Sequence, residues 1–376
     1  MIKKNINKIF SISGFSFITK IHDGNFAAIN MNNILKIYSG LKPFNCINQI
    51  KNISKGTEIY NLKEIFISDN INPKSEKIYL ILYEKNIIIY CFENNYKKAV
   101  LLQKVKNEFF IESLIQLNNK NIIFFDKENK IKLLRCQNDI KNIFRNKIQN
   151  LKVESKEKYS FIFSFIEFKE NHIITTSSNK HPYGENVIRV YEIKFNSNNL
   201  INYQNFEGYS CSTFENNVCK LENQKMICIA INFYIKKNMI INRNAIVLLN
   251  YEFLEITTII EMEFQINTIF NFSGFSKIGN YQNIYEYITV SQLKADNNNT
   301  KIKKKGKDNF RFIDFYFFGP KNEYEPLLME DKRIVTNNPI DITNSFLLNN
   351  KNLLIFQTSQ INIYEIFNES QTKIKN

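Results

Sequence analysis

The sequence lacks most of the residues on which catalytic and metal sites depend. It has no tryptophan, three histidines, ten glycines and six prolines in 376 residues, and its six cysteines form no CxxC pair. Widely spaced cysteines in a chain this long predict neither a disulfide framework nor a zinc site. We therefore expect free thiols in a reducing compartment, with no bound metal and no cofactor.

Long apolar segments are also missing. The most apolar stretch, residues 78–92, is interrupted by Glu84 and Lys85. It falls short of the roughly 18 uninterrupted apolar residues that a membrane-spanning helix needs. The N-terminal residues 1–24 contain Ser and Gly and alternate in polarity, which fits a strand better than a secretory signal. We expect neither a transmembrane segment nor a signal peptide.

The residues that are abundant favour β-strands. Hydrophobic residues make up 44% of the chain, with 33 Phe, 19 Tyr and much Ile. Aromatic and β-branched side chains pack well on a pleated sheet. The formal charge is +14, which in many proteins indicates nucleic acid, an anionic membrane or an acidic partner. Here the lysines are scattered along the whole chain, so a solvated basic surface explains the charge equally simply.

A pattern of paired apolar runs recurs along the chain. At 26–39, 77–94 and 121–136, an apolar run, a short polar turn and a second alternating run follow one another, as in a β-hairpin. Longer versions occur at 172–194, 225–253, 285–319 and 352–367. The seven second runs end near Tyr38, Tyr90, Leu134, Tyr191, Leu249, Tyr316 and Tyr364. The mean repeat of about 54 residues is close to that of propeller blades.

Further short apolar segments, at 109–119, 161–171 and 340–350, can add strands to these hairpins. The sequence thus predicts an all-β fold: one seven-bladed β-propeller domain over 1–376, with four-stranded blades. The predicted blades span about 15–50, 60–100, 108–140, 160–205, 210–260, 264–325 and 338–370. We expect residues 8–13 to complete the last blade and close the ring. This pairing would remove a free edge strand, which otherwise invites aggregation. The length of the fifth and sixth units leaves six or eight blades open.

The segment from Ile21 to Ser39 resembles a WD40 repeat. His22-Asp23-Gly24 resembles the turn before the second strand, and Ile37-Tyr38-Ser39 resembles the end of the third strand. The similar endings are at 87–90, 188–191 and 361–364. The resemblance implies a β-propeller that binds other proteins. With so few glycines, the tight turns must use Asn and Asp, which tolerate a left-handed backbone.

No residue pattern indicates catalysis. His22, His172 and His181 fall in turns or at strand starts, and no nucleophile, phosphate-binding or metal-protease motif is present. Cys211, Cys219 and Cys228 are eight and nine residues apart, which is too far for a zinc knuckle. We predict no catalytic, metal-binding or cofactor-binding residue and expect that the protein is not an enzyme.

The most distinctive local feature is a basic segment at 295–309 in the sixth unit. It carries Lys301, Lys303, Lys304, Lys305 and Lys307 and has no apolar periodicity, so we predict a flexible surface loop. These lysines are candidate contacts for phosphate groups or an acidic partner, with a simple solvated loop as the alternative. A second basic stretch, 141–160, carries both charge signs and reads as an exposed linker between units three and four.

The predicted function is a non-catalytic scaffold or adaptor that binds proteins or peptides through loops on the faces of the propeller. A basic adaptor for anionic membranes or nucleic acid is one alternative. An enzyme with its site at the mouth of the central channel is the other. The expected location is the cytoplasm, with the nucleus also open.

Overall fold

Apolar runs, some of them alternating with polar residues, form the strands of the computed structural model. The structure describes residues 8–365 except 52, 54–60, 68–76, 94, 129, 138–142, 146, 155–160, 179–186, 207–208, 212–216, 223–224, 237–238, 242–243, 263–264, 279–280, 295–309, 319–326, 337–341, 349–351 and 358. Every regular element among these residues is a β-strand. The chain divides into two compact units. Unit A comprises residues 12–174 and 189–204, and unit B comprises residues 1–11, 175–188 and 205–376.

The described strands of unit A form four sheets. The first sheet contains β2 (Phe15–Lys20), β3 (Phe26–Asn30), β4 (Leu35–Tyr38) and β5 (Cys46–Ile50), and the second contains β6 (Asn61–Ile65), β7 (Ile78–Tyr83), β8 (Asn86–Glu93) and β9 (Lys98–Lys106). The third contains β10 (Ile111–Gln116), β11 (Ile122–Asp126), β12 (Ile131–Leu134) and β13 (Gln149–Asn150). The fourth contains β14 (Lys152–Glu154), β15 (Phe161–Lys169), β16 (His172–Ser178), β17 (Val187–Lys194) and β18 (Asn199–Phe206). Its residues 175–178, 187–188 and 205–206 are assigned to unit B.

The described strands of unit B form three sheets. One contains β19 (Tyr209–Cys211), β20 (Val218–Leu221), β21 (Met226–Lys236), β22 (Met239–Ile241), β23 (Ala245–Asn250) and β24 (Glu255–Glu261). The next contains β25 (Gln265–Ile278), β26 (Tyr281–Lys294), β27 (Phe310–Phe318) and β28 (Leu327–Thr336). The last contains β29 (Ile342–Leu348), β30 (Asn352–Gln357) and β31 (Gln360–Glu365), with β1 (Lys8–Ser13) beside β31.

The core of unit A lies between consecutive sheets. Leu80 and Leu82 of β7 pack toward the first sheet, whereas Tyr79 and Ile81 of the same strand pack toward the third. Strand β11 likewise divides its side chains between the second and fourth sheets. A strand buried on both faces loses the polar alternation of a half-exposed strand. This explains the unbroken apolar runs that the sequence shows at 78–83 and 122–125.

Three of the predicted hairpins are confirmed in unit A, at 26–39, 77–94 and 121–136, by β3–β4, β7–β8 and β11–β12. In unit B the two ends of the chain meet as predicted, because β1 is the neighbour of β31 in its sheet. The hydroxyl of Ser11 in β1 donates a hydrogen bond of 2.9 Å to the side-chain oxygen of Asn362 in β31. The edge of β31 is therefore covered by a strand from the other end of the sequence.

The predicted count of seven four-stranded blades is wrong. Among the described residues, five sheets have four strands, one has five and one has six. The six-stranded sheet results from the eleven-residue length of β21. Strands β19 and β20 share one edge of β21, and β22 and β23 share the other. The count of four-stranded blades therefore differs from the predicted seven.

The interpretation of 141–160 as an exposed linker is also wrong for its described part. Ile143 and Phe144 are buried, and Phe144 exchanges two hydrogen bonds between its main chain and the buried side chain of Gln103. Strand β13 pairs with β12, and β14 adds to β18 as a parallel fifth strand. This segment thus supplies edge strands to two sheets, a role that its mixed charge does not indicate.

Candidate interaction surface

Consecutive sheets of unit A are joined by side chains near the ends of their first strands. In each case a side-chain oxygen on β6, β10 or β15 accepts a hydrogen bond from a main-chain N–H one or two residues after β2, β6 or β10. The pairs are Glu64 with His22 at 2.8 Å, Gln116 with Phe66 at 2.7 Å, and Glu167 with Asn118 at 2.6 Å. We call these three contacts the inter-sheet clamps. They bring together His22, Phe66 and Lys120, which follow β2, β6 and β10.

The clamp at Gln116 is the most extensive of the three. Its side-chain oxygen accepts from the Phe66 N–H, and its side-chain NH₂ donates to the Phe66 carbonyl at 2.9 Å. The same NH₂ group also reaches the carbonyl of Lys120 at 3.3 Å. Both polar main-chain groups of Phe66 are thereby satisfied by one amide, which fixes the backbone from which the ring projects.

Phe66 is half exposed, with 49% of its surface accessible, although it directly follows a strand. Its ring centroid lies 5.8 Å from that of His22 and 5.9 Å from the Lys120 ammonium nitrogen. A cation at this distance from an aromatic face is attracted by the ring. We call His22, Phe66 and Lys120 the Phe66 surface. Three consecutive sheets contribute one residue each to it.

A carboxylate lies beneath this surface. The Glu64 side chain is only 9% exposed, and one of its oxygens lies 2.5 Å from Nδ1 of His22 while the other accepts from the His22 N–H. Burial raises the pKa of the Glu64 carboxyl above its ordinary value, and the nearby charge of Asp23 acts in the same direction. The hydrogen bonds and charge of His22 oppose this rise in the pKa. Glu64 thus holds the His22 ring in place and is largely hidden from solvent.

The neighbouring acid, Asp23, is used inside its own turn. Its carboxylate accepts hydrogen bonds from the main-chain and side-chain N–H groups of Asn25 at 2.9 and 2.8 Å, and from the Tyr96 hydroxyl. Burial and the bond to Asp23 raise the pKa of Tyr96. Gly24 has φ of +89°, a conformation that glycine adopts without strain. The predicted role of His22-Asp23-Gly24 as a chain turn is confirmed.

The other residues considered in the sequence are dispersed. His172 lies at the start of β16, where its Nδ1 is 2.8 Å from the carbonyl of Glu170. Cys219 and Cys228 are cross-strand partners in β20 and β21 and lie in a buried apolar cluster. His181 lies outside the described residues, as do the predicted contact lysines Lys301, Lys303, Lys304, Lys305 and Lys307.

Sequence reasoning did not single out Phe66, Lys120, Glu64 or Gln116. Their proximity depends on contacts between residues 42 to 50 positions apart, such as those of Glu64 with His22 and of Gln116 with Phe66. One signal was available: Glu64, Gln116 and Glu167 recur about 50 residues apart near the ends of successive first strands. Within the described ranges, no group of three or more His, Cys, Asp or Glu side chains is arranged to hold a metal ion. In the same ranges, no helix meets the length and apolarity needed to cross a membrane.

Comparisons with known proteins reveal the fold and no closer relationship. No protein-family model matches the chain, and no curated protein sequence matches it. Among solved structures, the C-terminal WD40 domain of Sif2 is similar with a TM-score of 0.55 and 9% identity, covering 97% of this chain and 99% of that one. The β-propeller domain of Cps50 (Swd1) from Myceliophteria thermophila has a TM-score of 0.54 at 10% identity, covering 96% and 100%. Sqt1 of Saccharomyces cerevisiae has a TM-score of 0.51 at 8% identity, covering 97% and 100%. The chain is therefore a β-propeller, similar in fold to WD40 proteins as its resemblance at Ile21–Ser39 implies.

Proposed function

We propose that this chain is a non-catalytic interaction scaffold that docks another protein on the Phe66 surface. The observation that carries the proposal is Phe66 itself, an exposed aromatic ring on a backbone held by the side chain of Gln116. Aromatic anchors contribute a large share of the energy of protein interfaces. A preformed anchor loses little conformational freedom on binding. The WD40-like fold supports the proposal, because such propellers present loops on rigid sheets.

Binding on this surface involves no bond making or breaking. The proposed setting is the interior of the cell, where the cysteines stay reduced. The basic segment 295–309 stays a prediction for a second contact with acidic groups, separate from the Phe66 surface.

The proposal is tested by affinity capture from extracts of cells that express the chain, using native protein and two charge substitutions. Phe66→Asp places a carboxylate at the proposed contact. Phe253→Asp is the matched control, because Phe253 is 72% exposed in the turn after β23. We expect at least one protein to be retained by the native chain and the control and lost from Phe66→Asp. It should also bind the purified native chain directly.

Circular dichroism and urea unfolding of the three proteins establish that both variants are folded. If every captured protein is retained equally by native and Phe66→Asp protein, the Phe66 surface is not the docking site. If native protein retains nothing beyond a blank matrix, the scaffold function itself is refuted.

A further inference from the structure

The arrangement of charges around Phe66 favours one class of partner. Lys120 contacts the Phe66 ring, and within the described residues it forms no ion pair. Charges of opposite sign across an interface steer association and exclude wrong partners. A carboxylate on a partner that approaches Phe66 would meet the Lys120 ammonium at the edge of the contact.

Two acidic residues in the same region are engaged in contacts with other residues. Glu64 faces His22 and is nearly buried, and Asp23 is hydrogen-bonded to Asn25 and Tyr96. Glu64 is therefore largely shielded from a partner, and Asp23 is held within its own turn. The Lys120 ammonium is the positive charge that lies against the Phe66 ring.

The ring contacts indicate the second feature of the partner. The His22 side chain is 52% exposed and is tilted by 58° to the Phe66 ring. Both rings are about half exposed, so each presents aromatic surface to a partner. Aromatic side chains pair with such groups in edge-to-face or offset arrangements, beyond the gain from burying apolar area.

We infer that the Phe66 surface binds an acidic segment of a partner protein that places an aromatic side chain against Phe66. This inference rests on the proposed scaffold function and names the chemistry of its partner. Aromatic contact with Phe66 supplies the anchor, and the carboxylates flanking the aromatic residue approach Lys120.

The chain contains no tryptophan, so a tryptophan peptide can be followed by its own fluorescence. The probe is acetyl-Glu-Ser-Glu-Trp-Glu-Ser-Glu-amide, titrated with the native chain at low salt. We expect saturable binding with a blue-shifted emission. Phe66→Ala should weaken the affinity about tenfold or more, as truncation of an aromatic anchor does. Lys120→Gln should weaken it about threefold and reduce its dependence on salt, as loss of a rim charge does.

Matched controls separate these effects from general ones. Phe253→Ala removes another exposed aromatic ring, and Lys104→Gln removes an exposed lysine of β9; neither should change the affinity. Peptides with Lys in place of Glu, or with Ser in place of Trp, should not bind measurably. An oligothymidylate strand tests whether charge alone suffices, and we expect no Phe66-dependent binding of it.

The inference is overturned if the acidic peptide does not bind at millimolar concentration, if the lysine peptide binds as tightly, or if Phe66→Ala leaves the affinity unchanged. A partner captured through Phe66 that lacks an acidic aromatic segment would also overturn it while leaving the scaffold function intact. Failure of the affinity capture together with failure of the peptide would remove both.

Discussion

The side-chain amide of Gln116 holds the end of β10 against the residue that follows β6, and Gln116→Ala removes this amide. The substitution deletes hydrogen bonds of 2.7 and 2.9 Å to Phe66 and one of 3.3 Å to Lys120. A neutral hydrogen bond contributes about 0.5–1.5 kcal/mol net. The site is exposed, so water replaces part of what is lost. We expect the free energy of unfolding to fall by about 1–3 kcal/mol.

Urea unfolding followed by circular dichroism measures this loss. With a urea dependence of about 3 kcal/mol per molar, the midpoint should fall by about 0.3–1 M. Amide hydrogen exchange gives a local readout, because the Phe66 N–H donates directly to Gln116. Exchange at this amide should accelerate in Gln116→Ala by more than the global destabilisation explains.

Gln49→Ala provides the control. Gln49 is exposed on β5, and its side-chain amide forms no hydrogen bond to any described residue, so its removal should change stability by less than about 0.5 kcal/mol. The reasoning is refuted if both variants unfold at the same urea concentration and exchange at Phe66 is unchanged.

Three further predictions concern other contacts. Burial raises the pKa of the Glu64 carboxyl, so the folded protein keeps the Glu64 proton to higher pH than the unfolded chain does. The contribution of Glu64 to stability therefore falls as pH rises above about 4.5. Glu64→Gln can still accept a hydrogen bond from His22, as Gln116 does from Phe66. In urea midpoints it should gain stability relative to native protein as pH rises above about 4.5; a difference that does not change with pH would contradict this. Lys132→Met breaks a buried ion pair of 2.6 Å with Asp126 and should lower the free energy of unfolding by about 3–5 kcal/mol. Adding Asp126→Asn should recover part of this loss, because it removes the unpaired buried charge. A loss under about 1 kcal/mol for Lys132→Met would contradict this reasoning. Deleting residues 1–14 removes β1 and should lower the melting temperature, whereas deleting residues 1–7 should not; equal melting temperatures would show that β1 contributes nothing.

The hairpins could be predicted because their signal is local. Each needs only alternation and a turn, and both are visible within about 15 residues. The turn chemistry is partly as expected: Asn33, Asn95, Asn171 and Asn198 have positive φ. Lys120 and Lys225 adopt the same conformation, which propensity alone does not predict. At Lys120 the hydrogen bond from Gln116 to its carbonyl helps to fix a backbone that the residue type disfavours.

The irregular sheets and the candidate surface could not be predicted, because they depend on contacts distant in sequence. The length of β21 divides its partner strands, and only pairing registers reveal this. Ile143 and Phe144 lie in a segment whose charges suggest solvent exposure, yet both are buried in the apolar cluster of the second and third sheets. Phe66 directly follows the buried Ile65, and nothing in the local sequence distinguishes this exposed ring from a core residue. Periodicity assigns side chains to faces, whereas packing between sheets decides which of them remain exposed.

The same argument limits what the net charge of +14 says about function. At the Phe66 surface, the sign offered to a partner depends on which charges are already engaged. Near the surface, Glu64 is nearly buried against His22, and Asp23 accepts hydrogen bonds from Asn25 and Tyr96. One lysine beside an exposed ring can therefore define an acidic partner more specifically than many scattered lysines, because the ring supplies the anchor and the lysine selects the charge. Since Gln116 holds both Phe66 and Lys120, the contact that stabilises two sheets also fixes the geometry of this surface.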